Sequence, residues 1–283
     1  MADRRDPSAL RWLIGVELQN YRKRAGQTLA KAAKAINCSA SLVGHFEKGM
    51  YFPAPEQIAG LLGFYGAPAW DVERLSSLTG RADQSSWVAR WNDVIPDWLR
   101  TYVGLEGLAS HQIIYMPLVL PALAQTQEYS VATTAGSARV RPDQVERMVG
   151  LRMERQRRLF TDTDPLRLTA LIEESVLDRP IGGAATMHAQ LAHLVELSAR
   201  DNVEILVLPT SIGHHDGLEG AFTVLHFEQA QSIGYVEFPD GAVYVQDQDQ
   251  VAAYTRTAES LRSVALPQRE SVEAITARLA KLT

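Results

Sequence analysis

The chain has 283 residues, more than the ~100–200 usual for one domain, and this length predicts two. Its 46% hydrophobic and 22% charged residues are ordinary for a folded globular protein and exclude disordered, collagen-like and disulfide-stapled chains. The net charge of −5 is unevenly spread: residues 1–52 hold nine Lys or Arg against four Asp or Glu, and the remaining residues are correspondingly acidic. A basic head on an acidic body points one end of the chain toward a polyanion.

Residues 9–80 read as short helices separated by turn signals. Leu10, Leu13, Ile14, Leu18 and Tyr21 recur at helical spacing, and Gly26 follows the basic run Arg22-Lys23-Arg24, a common way for a helix to stop. Thr28 is placed to cap a helix over 28–36, and Ser39 to cap one over 39–48 that Gly49 ends. Helices over 56–65 and 69–78 follow, the second opened by Pro68. Five short helices predict an all-α domain over residues 1–80, with the polar stretch 81–86 as linker. Beyond it the periods mix. Residues 87–107, 143–160 and 187–199 read as helices, and 166–172, 203–208, 222–227, 233–238 and 242–245 as strands. Asp240-Gly241 signals a hairpin between the last two strands, and helices over 249–265 and 269–282 close the chain. Residues 87–283 are therefore expected to form an α+β domain with a mostly antiparallel sheet.

The helices 28–36 and 39–48, joined by a short turn, have the helix-turn-helix layout, in which the second helix presents its N-terminal residues to base edges in the major groove. Ala32, Ala33 and Gly44 are small where helices must cross closely, while Val43 and Phe46 supply the buried side of the second helix. Its solvent face is then Ala40, Ser41, Gly44, His45 and Lys48. Ala40 can touch a thymine methyl, Ser41 is unselective, and His45 can donate to a guanine acceptor. With Thr28 and Ser39 at the helix starts, these form the candidate DNA-binding set, lean enough to predict reliance on dimerisation.

Residues 18–49 resemble the Xre family of helix-turn-helix regulators through Leu18, Arg22, Ala25-Gly26, Thr28, Ala32-Ala33, Ile36, Ser39, Val43 and Phe46-Glu47-Lys48-Gly49. The resemblance implies an ion pair between Arg22 and Glu47 that fixes the recognition helix. Leu29 stands where the family often carries glutamine, so a phosphate contact there is lost or passes to a backbone amide. From Trp87 to Lys281 the chain is similar to the C-terminal domain of actinobacterial Xre-type regulators described as toxin–antitoxin-like. The matching stretches include Trp87-x-x-Arg90-Trp91, Gln125-Thr126-x-Glu128-Tyr129, Arg152-Met-Glu-Arg-Gln-Arg157 and Gly213-x-His215-x-Gly217. This resemblance implies a cytoplasmic transcriptional regulator, often encoded beside a small protein that is its candidate partner.

Catalytic and metal chemistry are not expected in the second domain. The adjacent His214 and His215 point apart on an extended backbone, and no clustered Cys or His completes a zinc set with Asp216. Glu173 and Glu174 are neighbours that face opposite ways on a strand, and His188 and His193 miss the i,i+4 spacing of a helical clamp. Arg155, Arg157 and Arg158 read as a solvated helix face. No phosphate-binding glycine loop with lysine and no Gly-x-Ser-x-Gly elbow occurs. The expectation is therefore no enzyme, no metal and no cofactor.

The single cysteine, Cys38, cannot form an internal disulfide and fits a reducing cytosol. The longest apolar run, residues 113–124, contains Pro117 and Pro121 and is too short for a membrane span of roughly 20 residues. The N-terminus lacks the continuous apolar stretch of a secretory signal. The leading expectation is a cytoplasmic regulator that binds a double-stranded DNA operator as a homodimer, without membrane contact. Two alternatives stand beside it: an antitoxin-like protein that binds a small partner protein and autoregulates, and a sensor of a small apolar ligand lined by residues 113–123.

Overall fold

A computed structural model describes residues 6–79 and 87–282, so the expected linker at 81–86 lies outside the described residues. The first segment folds as α1 (Pro7–Arg24), α2 (Leu29–Ala35), α3 (Ala40–Glu47), α4 (Pro55–Tyr65) and α5 (Ala69–Leu78). Asp6 caps α1 by accepting from the amides of Ser8 and Ala9, with Pro7 at the first helical position where its missing N–H costs nothing. Leu10, Ile14, Leu18, Ala32, Ala33, Val43, Phe46, Ile58, Leu61, Leu62, Leu75 and Leu78 close one core.

The second segment contains α6 (Asp97–Leu108), β1 (His111–Met116), α7 (Gln127–Ala135), α8 (Val145–Gln156), β2 (Arg167–Glu173), α9 (Glu174–Leu177), α10 (Ala184–Ser198) and β3 (Val203–Leu208). It continues with β4 (Phe222–His226), β5 (Ile233–Phe238), β6 (Gly241–Val245), α11 (Gln248–Val264) and α12 (Gln268–Leu279), giving twelve α-helices among the described residues. The helix expected over 87–107 is broken. Residues Trp87–Trp91 form a 3-10 turn and α6 starts after Pro96, because the residue before a proline is pushed out of the helical region.

The sheet corrects the expectation of a mostly antiparallel one. Its order is β3-β2-β1-β4-β5-β6; β3, β2 and β1 are parallel, while β4, β5 and β6 follow antiparallel, so the sheet is mixed. The missed strand is β1, which lies at the centre. Parallel neighbours require long crossovers, and α7 with α8 supplies the one from β1 to β2, α9 with α10 the one from β2 to β3. Side chains alternate between two layers. Ile114, Leu168, Ala170, Ile172, Ile205, Val207, Leu225 and Ile233 meet the main helical layer, which includes α6, α8 and α10. Tyr115, Leu171, Leu206, Leu208, Phe222 and Val224 meet α11 on the other side. The apolar run at 113–124 is therefore divided between both cores, with Leu120 and Leu123 buried in the larger one and Leu118 exposed. The outer edge of β3 is covered: Gln268 and Ser271 accept from the amides of Ile205 and Val207 at 3.0 Å each, which leaves less of that edge open to pairing with another chain.

Helix α1 belongs to both cores. Its Leu10, Ile14 and Leu18 face the helix-turn-helix core, and its Ala9, Leu13 and Val16 face the larger one. Gly104 lets α6 approach closely, since a Cβ there would stand 2.8 Å from that of Ala9.

A polar row crosses one end of the sheet. His111 and His226 are register partners on β1 and β4 with ring centroids 5.6 Å apart. His111 Nε2 lies 3.0 Å from Thr169 Oγ1, which donates to Glu204, itself paired with Arg262 at 2.7 Å. Burial, then the neighbouring His226, Arg167 and Arg262, push the His111 pKa down to about 4, and burial also lowers that of His226. Below a pH of about 6.5 the unfolded chain takes up a proton that folded His111 refuses until about 4, so folding stability should decline between those values. Denaturant midpoints across this range test the sign. His111→Gln should flatten the decline, and a variant that follows the wild-type curve would exclude His111 as its source.

Candidate nucleic-acid interface

The expected recognition pair is α2 and α3. Thr28 caps α2 by accepting from the Lys31 amide at 3.3 Å, and Ser39 caps α3 by accepting from Leu42 at 3.1 Å. Between them Asn37 takes a left-handed conformation at φ 52°, which asparagine tolerates better than most residues, and the Cys38 amide returns to Ala33 O at 2.9 Å. Ala32, Ala33, Val43 and Phe46 are buried, and Leu29 packs partly buried against the same core. Thr28, Ser39, Ser41 and Lys48 are exposed; Ala40, Gly44 and His45 are half-buried along α3.

Arg22 reaches from α1 to the end of α3. Its Nε and Nη2 donate to the two carboxylate oxygens of Glu47 at 2.6 and 2.7 Å, and its Nη1 donates to Gln27 O at 3.0 Å. The side chains are 14% and 3% exposed. The hydrogen bond to Glu47 raises the Arg22 pKa, so the guanidinium stays charged at every accessible pH.

The close helix crossing is not at Gly44, where an added Cβ would meet only Leu29 at an ordinary 3.8 Å. It lies instead at Gly15 of α1. A Cβ there would stand 2.4 Å from the Phe46 carbonyl oxygen and 2.9 Å from that of Glu47, so α1 crosses the end of α3 backbone against backbone. Gly49 then turns the chain at φ 66°, with Trp12 Cα only 2.8 Å from where its Cβ would be, and Arg11 Nε donates to Gly49 O at 2.6 Å. A sequence signal for this existed. Glycine inside an otherwise apolar helix costs about 1 kcal/mol against alanine and marks a close approach. Lys31 and Lys34 on α2, and Met50 and Tyr51 beyond α3, are also exposed and lie outside the expected DNA-binding set.

Several candidate polar groups of the second segment are bound to one another. Tyr115 Oη donates to Glu173 Oε1 at 2.8 Å, and His215 Nε2 lies 3.2 Å from the same oxygen. Glu174 instead pairs with Arg278 at 2.7 Å and accepts from the Thr210 amide at 2.8 Å. Arg155 corrects the reading of a solvated face: it is 7% exposed and bidentate on the buried Glu106 at 2.7 and 2.8 Å, with its guanidinium over the Tyr102 ring. Arg158 donates to the carbonyls of Gly107 and Ala109, and Arg157 remains exposed. Among the described residues no three His, Cys, Asp or Glu side chains are grouped to hold a metal ion, and no helix is long and apolar enough to cross a membrane.

Residues 99–277 match a family described as a domain of unknown function, DUF5753. The chain belongs to the DUF5753 family. The DUF5753 match opens inside α6 and closes inside α12, so it takes in the whole mixed sheet. Residues 13–75 match a helix-turn-helix domain, a span that runs from α1 into α5 and contains the recognition pair and the Arg22–Glu47 contact. No curated protein and no solved structure matches the chain.

Proposed function

We propose that this chain is a sequence-specific transcriptional regulator of the Xre type that places α3 in the major groove of double-stranded DNA. The observation that carries the reading is the capped pair α2 and α3, its second helix fastened to α1 by Arg22 and Glu47. The match to a helix-turn-helix domain and the basic charge of the first 52 residues support it. Ser39, Ala40, Ser41, Gly44 and His45 face base edges; Thr28 and Lys48 meet phosphates. The DUF5753 region dimerises the chain and senses a protein or small ligand, without catalysis, in the cytoplasm. A two-fold dimer demands a pseudo-palindromic site with half-sites about 10 bp apart or a multiple of that.

The test is binding of the purified chain to its own upstream DNA and to random DNA across a salt series. A specific, pseudo-palindromic footprint with a steep salt slope supports the reading. Equal, weak binding to both sequences overturns it. His45→Ala should relax preference at one base pair by about 1–3 kcal/mol when binding is measured over a library of single-base variants. A uniform loss across that library would place His45 on a phosphate.

A further inference from the structure

Beyond α3 the chain turns at Gly49. The Met50 amide donates to His45 O at 2.9 Å, and Arg11 of α1 holds Gly49 and Phe52, one on each side of Tyr51. Arg11 binds Gly49 O at 2.6 Å, and its guanidinium lies 5.5 Å from the centroid of the Phe52 ring. Pro53 is buried. Tyr51 between them is 54% exposed, and its ring meets the His45 imidazole edge-on, centroids 5.3 Å apart at 69°. Its hydroxyl has no hydrogen-bond partner among the described residues. A large, stiff side chain with only two rotatable bonds is thus fixed beside the one imidazole on the reading face.

We propose that Tyr51 is a second DNA-reading determinant: its ring sets the plane of the His45 imidazole, and its hydroxyl donates to a backbone phosphate at the rim of the same groove. This rests on the DNA-reading role of α3. The two halves of the proposal separate by substitution. Tyr51→Phe keeps the ring and removes the hydroxyl, so it should weaken binding roughly three- to tenfold on every sequence. The base preferences and the salt slope should not change, because the lost group carries no charge. Tyr51→Ala also frees the imidazole and should relax preference at the same base pair as His45→Ala. In the double variant, preference at that position should be no weaker than in His45→Ala alone, the signature of two residues acting as a unit.

Binding over the single-base library, the salt slope and the melting temperature are measured together on the full chain. Tyr51→Ala with wild-type base preferences overturns the positioning role, as does a uniform loss accompanied by a lowered melting temperature. Tyr51→Phe with wild-type affinity overturns the phosphate contact. Absence of any sequence-specific binding by the wild-type chain overturns the DNA-reading role of α3 itself, which distinguishes that failure from failure of Tyr51.

Discussion

Arg22→Ala should destabilise the helix-turn-helix unit by about 3–5 kcal/mol and abolish specific DNA binding with it. The magnitude follows from what is left behind. Glu47 is 3% exposed and loses both of its guanidinium hydrogen bonds, and Gln27 O loses its donor as well. A buried carboxylate without a partner must either take up a proton or draw water into the core. Glu47 is also the last residue of α3, directly where Gly15 lets α1 cross at backbone distance, so a shift there is passed to the recognition helix itself. Thermal unfolding followed by far-ultraviolet circular dichroism reads the loss. A melting temperature equal to wild type would refute a stabilising ion pair. Replacing both partners, as Arg22→Met with Glu47→Leu, should recover part of the loss, since the penalty belongs to the orphaned charge more than to the missing attraction.

The helix-turn-helix elements were legible because their punctuation is local. Thr28 and Ser39 sit where caps are needed, and Gly26 and Gly49 take the positive φ that other residues avoid. Strands β4, β5 and β6 were legible for a similar reason, being short, closely spaced and joined in part by Asp240-Gly241. Strand β1 was not. It is paired on both sides and packed on both faces, so Ile113, Ile114 and Tyr115 run on without alternation into Pro117, and nothing in that run separates a central strand from a buried loop. Missing it removed one of the two parallel pairings and made the sheet read as antiparallel. The buried role of Arg155 is not legible because its partner, Glu106, is 49 residues away in sequence, and periodicity in a charged helix cannot report a contact at that range. The double role of α1 leaves a trace in the sequence: Ala9, Leu13 and Val16 widen its apolar surface beyond the single stripe formed by Leu10, Ile14 and Leu18.

That double role sets the second large effect. Glu17 on α1 is 1% exposed and accepts from Arg74 Nη1 and Nη2 at 3.1 and 2.6 Å and from the Gln231 amide at 2.9 Å. Arg74 in turn binds Asp71, which accepts from Tyr21, and donates to Gln229 O at 2.6 Å; Asn20 donates to Gln246 O at 3.0 Å. Burial, followed by the hydrogen bond to Asp71, pushes the Tyr21 pKa up to about 12, so the phenol remains a donor throughout the physiological range. One buried network therefore ties α1 and α5 to the segment between β4 and β5. With α1 contributing side chains to two cores, the wild-type chain should unfold in a single calorimetric transition. Glu17→Ala leaves the Gln231 amide unpaired and Arg74 with Asp71 as its remaining carboxylate, a loss of about 3 kcal/mol. The single transition should then divide, with the helix-turn-helix unit melting first. Glu17→Gln keeps the acceptor but removes the charge and should fall between the two. A Glu17→Ala variant that still melts once, at the wild-type temperature, would show that the apolar contacts of Ala9, Leu13 and Val16 alone hold the two units together. If the division appears, the network carries the stability coupling between the two cores that α1 joins.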